Sequence, residues 1–334
     1  MSSLEGAAPS GRRYQLDESA LLYVKLAETF WLKGDSSAMQ QLEGLKNYLA
    51  EEPQTRSSVL RAPVEALVEN LTGALEVLEL PYELLGKAHS LEPGGPTPIV
   101  NLIRRGISGE VSESAFYAEL EGLTAAGDTV TALRLQAENA KVYQSLVAYA
   151  GSRHFARLMH QGCLLIWSAY ETFCKEAFTA GLNAMPQLVA KLMVEPWQSK
   201  FGFKNLFSFD LLAANGFSLE GKLGSIIAAG RDFSSPELLR DLMPTLFAYG
   251  PQADEMTRAL RAQALYMLGH RRHLIAHRCG IVDAAYLSQT GDSPQEVGQL
   301  LKVSHRDIAT ALGSVAHAVI QLTGVIEVQH EDRV

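Results

Sequence analysis

The chain lacks most features of secreted proteins, of proteins stabilised by a bound metal ion and of membrane proteins. It has only 3 cysteines in 334 residues, an odd number without the spacing of metal ligands. No apolar core follows the first residues, so a secretory signal is not expected. The most apolar long window, residues 311–328, carries His317, Gln321 and Glu327, which favours a buried helix over a membrane span. These absences predict a protein of the reducing cytoplasm with no membrane partner.

An excess of positive charge is also missing. The net charge of −8 excludes a broadly basic surface, so nucleic-acid contact would need a local cationic patch. Hydrophobic residues make up 47% and charged residues 20%, as in globular proteins. The length predicts two parts, which we place after a Ser/Gly/Ala-rich tail at residues 1–15 that is expected to be disordered. The first part, residues 16–140, shows no phosphate loop, nucleophile elbow or Cys/His cluster, and its role is unknown.

Helical spacing of apolar residues runs through nearly the whole sequence, whereas strict alternation is scarce, which predicts an all-α fold. The predicted helices are 19–32, 36–50, 56–80, 82–89, 112–124, 128–150, 152–180, 219–229, 235–248, 252–278 and 304–326. Pro81 and the Pro/Gly-rich segment 92–98 are expected to interrupt helices. Ser152 is a predicted N-cap, and Gly181 and Gly280 are predicted stops.

Three histidines and three arginines fall within the nine residues His270–Arg278, although the entire chain has 9 histidines. In a helix, Arg272 and His277 lie about 140° apart around the axis and about one and a half turns along it. A long arginine closes that gap, so both side chains can reach one phosphate. The guanidinium would clamp two oxygens, and the imidazole would transfer a proton. RNA cleavage without metal needs only this and a second proton-transfer group, because the 2′-OH is itself the nucleophile.

Two segments resemble the HEPN superfamily. Arg272-x4-His277, followed by Arg278-Cys279-Gly280-Ile281-Val282-Asp283, is similar to its Arg-x4–6-His signature and the run that often follows it. Ile166-Trp167-Ser168-Ala169-Tyr170-Glu171-Thr172-Phe173 is similar to the first long helix, with a glutamate between aromatic residues. The resemblance covers about residues 143–328, which we expect to form a HEPN-like domain.

The resemblance implies a helical bundle that dimerises so that two Arg/His pairs face each other across a composite site. Many members are metal-independent endoribonucleases of toxin–antitoxin, phage-defence or RNA-processing systems. It implies that Arg272 binds phosphate, that His277 is catalytic and that Glu171 supports the motif helix. The expected partners are RNA, a second copy of the chain and a regulatory protein or antitoxin, with no cofactor and no metal.

The sequence departs from the family where active members commonly have Asn or Asp after the arginine, since this chain has His273. An imidazole can also hydrogen-bond a phosphate, so His273 is a candidate supporting residue, as are Arg271 and Arg278. Cys279 stands where one toxin subclass carries the tyrosine that is adenylylated, and an antidote of that type is therefore not expected.

Other interpretations stay open at this point. His270, His273 and His277 share a helix face with the spacing of zinc ligands, although no nearby carboxylate completes the set. Glu171 could simply form a salt bridge with an arginine such as Arg271. The domain could also be a catalytically inactive module for binding or dimerisation. The aromatic stretch 197–209 is expected to pack in the core rather than stack on bases, and His160 is expected on a helix surface.

Overall fold

A computed structural model describes residues 36–50, 58–90, 152–201, 209–229, 231–293 and 295–333, with isolated positions between 102 and 122. All regular structure within these ranges is helical, apart from a single antiparallel bridge between Ile281 and Leu300, and the predicted all-α fold is confirmed. The α-helices are α1 (Ser36–Ala50), α2 (Arg61–Ser90), α3 (Arg153–Ala184), α4 (Trp197–Phe201), α5 (Phe209–Ala214), α6 (Leu223–Ala228), α7 (Pro236–Phe247), α8 (Ala253–Leu260), α9 (Gln263–Arg278), α10 (Ala284–Thr290) and α11 (His305–Glu331). A 3-10 helix, Pro186–Leu192, links α3 to α4.

Several predicted features lie outside the described residues. They are the tail 1–15, the helices 19–32 and 128–150, the Pro/Gly-rich segment 92–98 and the boundary between residues 140 and 143. The division of the chain into two parts therefore stays a prediction.

Three serines begin helices as the sequence indicates. The hydroxyls of Ser152, Ser235 and Ser304 each accept a hydrogen bond from the backbone N–H three residues later, at 3.1 to 3.2 Å. Each bond satisfies one of the N–H groups that a helix N-terminus leaves without a partner. The predicted starts of α3, α7 and α11 are confirmed because these signals are local.

Two predicted interruptions are wrong. Helix α2 continues through Pro81, since a proline removes one backbone hydrogen bond and the 30-residue helix keeps those on either side. Helix α3 continues past Gly181 to Ala184. A Cβ atom at Gly181 would lie 2.7 Å from the Phe247 ring, so this glycine permits close packing between helices rather than a helix end.

The predicted motif helix 252–278 is two helices, α8 and α9, joined at residues 261 and 262. Leu260 and Leu265 are buried on either side of the joint, so the apolar pattern does not reveal it. Helix α9 ends at Arg278, as predicted. Cys279 then adopts the left-handed conformation with φ 53°, and Gly280 follows with φ 71°. The predicted left-handed position at Gly280 is confirmed, and Cys279 before it is left-handed as well.

Helices α3 and α11 form the centre of the bundle. Helix α3 packs against α2, α6, α9 and α11, whereas α11 also contacts α1, α8 and α9. One apolar cluster extends from Leu42 in α1 to Ile326 in α11, so the described helices before residue 91 share the core of the later helices. By length and composition alone α11 could span a membrane, but 61% of its most apolar window is buried against the other helices.

Glu327 in α11 caps the start of α2 from 268 residues away in sequence. Its carboxylate accepts hydrogen bonds from the Leu60 backbone N–H at 3.1 Å and the Ser58 hydroxyl at 2.7 Å. A carboxylate at this position complements the positive end of the helix dipole. The entry into α2 is therefore fixed by the last helix rather than by its own sequence.

Candidate functional site

The basic segment of α9 is held by apolar anchors. Leu265, Leu268, Leu274 and Ile275 are buried, and they fix how the helix is rotated against the bundle. Because successive residues turn by about 100°, the arginines and histidines between these anchors point in different directions. The side chains of these arginines and histidines therefore face different neighbouring residues.

Arg272 faces α3, where its Nη2 lies 3.7 Å from Glu171 Oε2. Glu171 also accepts a hydrogen bond of 3.1 Å from the Trp167 indole N–H, one turn earlier on α3. Burial raises the pKa of Glu171, against the opposing effects of the Arg272 charge and the Trp167 hydrogen bond. Asp232, before α7, adds a second negative charge near Arg272. Arg272 is thus a fixed, partly exposed cation in an acidic setting.

Arg271 faces the interior instead. Its guanidinium lies 2.8 Å from Asp307 at the start of α11 and 3.4 Å from Asp292, which also accepts a 2.7 Å hydrogen bond from the Tyr286 hydroxyl. Burial disfavours the charged guanidinium, but Asp307 and Tyr286 outweigh it and raise the pKa of Arg271. Glu171 does form a salt bridge with an arginine, but its partner is Arg272 rather than the Arg271 given as the example. Arg271 joins α9 to α11 and does not line the exposed surface.

His273 and His277 lie together on the exposed side of α9, with ring centroids 4.6 Å apart. His270 is buried away from that surface, with its Nε2 3.2 Å from Glu237 Oε1 but without an aligned hydrogen bond. Burial lowers the pKa of His270 despite the nearby Glu237. Within the described ranges no three His, Cys, Asp or Glu side chains form a group that could hold a metal ion.

The end of α9 is clamped to the first turns of α3. The Arg157 guanidinium donates a 2.7 Å hydrogen bond to the Cys279 carbonyl. A Cβ at Gly280 would lie 2.5 Å from His160 Cε1, so only glycine allows this approach. His160 is buried and its Nε2–H donates to the Leu301 carbonyl at 2.9 Å, which corrects the expectation that it lies on a helix surface.

The run after the motif has a structural role in the turn. The backbone N–H of Val282 donates to Gln299, and the N–H of Leu301 donates to Gly280, at 2.9 and 2.8 Å. Asp283 then caps α10 by accepting a 2.8 Å hydrogen bond from the Tyr286 N–H. Its other oxygen lies 3.8 Å from Arg278 Nε, and both side chains are exposed enough that this ion pair adds little stability.

The structure thus brings Arg272 to Glu171 and His273 to His277, and it separates Arg271 and His270 from both pairs. Sequence reasoning missed Asp232, Asp292 and Asp307, because they lie on other elements without a motif of their own. The contact of Trp167 with Glu171 could have been predicted from the sequence, since residues four apart on a helix are neighbours.

Comparison with protein-family models, with curated proteins and with solved structures gave no match to this chain.

Proposed function

We propose that the chain is a metal-independent endoribonuclease of HEPN type that cleaves RNA through Arg272 and His277. The observation that carries the proposal is that α9 holds one arginine in a fixed position and leaves two histidines exposed. Arg272 is held against Glu171 at 3.7 Å, whereas His273 and His277 are exposed with their rings 4.6 Å apart. A fixed cation and two accessible imidazoles on one helix are the kinds of group that phosphodiester transfer needs.

In the proposed reaction, the neutral His277 imidazole takes the proton from a ribose 2′-OH. The 2′-oxygen attacks phosphorus while the bond from phosphorus to the 5′-oxygen breaks, and Arg272 stabilises the charge that builds on the phosphoryl oxygens. A protonated histidine gives its proton to the departing 5′-oxygen. The products are a 2′,3′-cyclic phosphate and a 5′-hydroxyl, and no oxidant or metal enters the balance.

The protonated histidine is proposed to come from a second copy of the chain, as the resemblance implies. Exposed apolar side chains beside the motif support a partner surface there. Ile281 and Val297 are both exposed, and the backbone of Gly298, next to Val297, is hydrogen-bonded to Val282 at 2.8 Å. His273 offers an alternative proton donor within the same chain. A role in phage defence or a toxin system, with a regulatory protein or antitoxin, belongs to this proposal.

A non-catalytic binding module is the second candidate function, and one observation favours it. Arg272 already has a carboxylate partner, and its side chain is only 24% exposed. A phosphate must compete with Glu171 or share the guanidinium with it. A module that binds RNA or a partner without cutting would tolerate this arrangement.

The test is incubation of the purified protein with mixed RNA in EDTA, with Arg272→Ala and His277→Ala beside the wild type. Both variants are expected to lose cleavage by at least about a hundredfold, since a general acid–base group contributes about 10² to 10⁴ and a donor that stabilises transition-state charge about 10² to 10³. Arg258→Ala is the matched control, because Arg258 is exposed on α8 and its one ion pair among the described residues is with Glu255. Circular dichroism checks the fold.

Unchanged cleavage in both variants would contradict the assignment. Absence of cleavage by the wild type, together with RNA binding, would favour the binding module. Cleavage that appears only after a divalent metal is added would replace the proposal with a metal-dependent nuclease.

A further inference from the structure

We infer that a basic rim beside the Arg272/His277 pair binds the phosphates of single-stranded RNA on one side of the cleaved bond. The basic rim consists of Arg153, Arg157, Arg278 and Lys302. The inference rests on the proposed function, because it assigns the substrate path that leads to the same site.

Contacts already described bring the rim together. Arg157 is bonded to the Cys279 carbonyl at 2.7 Å, which places the start of α3 against the end of α9, next to Arg278. Arg153 lies one turn before Arg157 on the same face of α3, since residues four apart are neighbours on a helix. The rim therefore begins at the residue after His277.

Lys302 joins the rim through the loop before α11. The backbone of Leu301 is bonded to Gly280 at 2.8 Å and accepts from His160 at 2.9 Å, so the next residue lies between the two helices. The backbone of Lys302 is fixed in turn by the Gln295 amide, with hydrogen bonds of 2.9 and 3.0 Å. Lys302 is therefore an exposed residue whose backbone is held in place.

The charge of this region is opposite to that of the whole chain. The chain has a net charge of −8, but neither the segment Arg153–Tyr170 nor α9 contains an aspartate or glutamate. Among the described residues, Arg153, Arg157 and Lys302 form no ion pair, and Arg278 has only the 3.8 Å contact with Asp283. A local cationic patch on an acidic protein is the surface that nucleic-acid binding requires.

RNA fits the rim better than an acidic protein segment does. The rim is continuous with the site proposed to act on a phosphodiester. A guanidinium group can also donate two parallel hydrogen bonds to two oxygens of one phosphate. Contacts to phosphates are independent of base sequence, so the rim would position a strand without selecting it. We expect the rim to contribute affinity for long RNA and nothing to the chemistry of a dinucleotide.

The test measures binding of a single-stranded RNA of about 20 nucleotides to the His277→Ala protein across about 50 to 200 mM salt. Arg153→Ala and Lys302→Ala are introduced together, because both residues are exposed and neither side chain forms an ion pair or hydrogen bond with the described part of the chain. The slope of log affinity against log salt is expected to become shallower by about 1.4, or about 0.7 for each neutralised side chain. Arg258→Ala, on α8, is expected to leave the slope unchanged.

In the background with His277 intact, the double variant should cleave a dinucleotide as fast as the wild type but show a lower kcat/KM on the long RNA. An unchanged affinity and slope would overturn the inference, and so would binding of polyglutamate in place of RNA. A shallower slope in a protein that cuts no RNA would sustain the rim and refute the proposed catalysis.

Discussion

The guanidinium of Arg272 and the carboxylate of Glu171 face each other at 3.7 Å across the contact of α9 with α3, and each side chain is about one-quarter exposed, at 24% and 25%. The pair joins the two segments that the sequence singles out on separate grounds. It also sets a condition on any anion that binds Arg272, because the anion meets a cation that is already partly neutralised.

Glu171→Gln is therefore expected to strengthen RNA binding. The amide keeps an oxygen that can accept from the Trp167 indole, but it removes the charge that competes with phosphate for Arg272. A partly exposed ion pair is worth at most about 1 kcal/mol, so the gain should not exceed about fivefold. Fluorescence anisotropy in the His277→Ala background measures it. Weaker binding would instead show that the Glu171 charge is needed to orient Arg272.

Arg271→Ala is expected to destabilise the protein by about 3 to 5 kcal/mol, because it leaves Asp292 and Asp307 without their cation in a largely buried setting. The free energy of unfolding in urea gives the loss. Arg258→Ala is the control, with an expected loss below about 1 kcal/mol for its exposed pair with Glu255. Equal losses in the two variants would argue against a structural role for Arg271.

Acid should weaken the same network. Burial tends to raise the pKa of Asp307, but hydrogen bonds from Ser304 and the charge of Arg271 hold it below the ordinary value. A lowered pKa stabilises the folded state above the pKa of the unfolded chain, and this contribution is lost as the pH falls through the folded value. In Asp307→Asn the acid-induced loss of stability should be smaller. An identical pH profile for variant and wild type would refute the assignment.

Gly280→Ala and Gly298→Ala separate two costs of replacing a glycine. Both residues have positive φ, at 71° and 85°, but only a Cβ at Gly280 would meet another group, the His160 ring at 2.5 Å. The strained backbone should cost about 1 kcal/mol in each variant. Overpacking should add about 1 to 3 kcal/mol at Gly280 alone. Thermal unfolding that shows equal losses would mean that the His160 ring moves aside freely.

Glu327→Ala is expected to lose about 1 to 2 kcal/mol of stability, because it leaves the backbone N–H of Leu60 without its acceptor at the start of α2. Glu327→Gln should retain most of that stability, since the amide oxygen still accepts. Urea unfolding of the two variants compares them directly. Similar losses in both would show that the charge matters and the hydrogen bond does not.

Local signals predicted the starts of several helices, and a contact between distant segments accounts for the error at Gly181. Ser152 and Ser235 cap helices as expected, because a cap depends only on residues within one turn. Gly181 was expected to end a helix, but its smallness accommodates the Phe247 ring from a helix that begins more than fifty residues later. A contact of this kind produces no periodic pattern in the sequence, so it cannot be predicted from helical spacing.

The candidate site shows the same contrast. The exposed side of α9 with His273 and His277 follows from helix periodicity and the buried leucines around it. The different fates of Arg271 and Arg272 do not, because the two are adjacent, equally charged and chemically identical. Only the positions of Asp307 and Glu171 on neighbouring helices decide which arginine is structural and which stays accessible.

The cap on α2 has a consequence for how the chain folds as it is made. The start of α2 depends on Glu327, and α1 packs mainly on α11. The cap of α2 and the main packing partner of α1 are therefore both missing until α11 has left the ribosome, although α2 can pack on α3 earlier. Domains commonly fold in order from the N-terminus during synthesis. Here α1 must wait with most of its apolar face uncovered. Chaperone dependence during translation is the expected outcome, and it should fall when the chain is permuted so that α11 is made before α1.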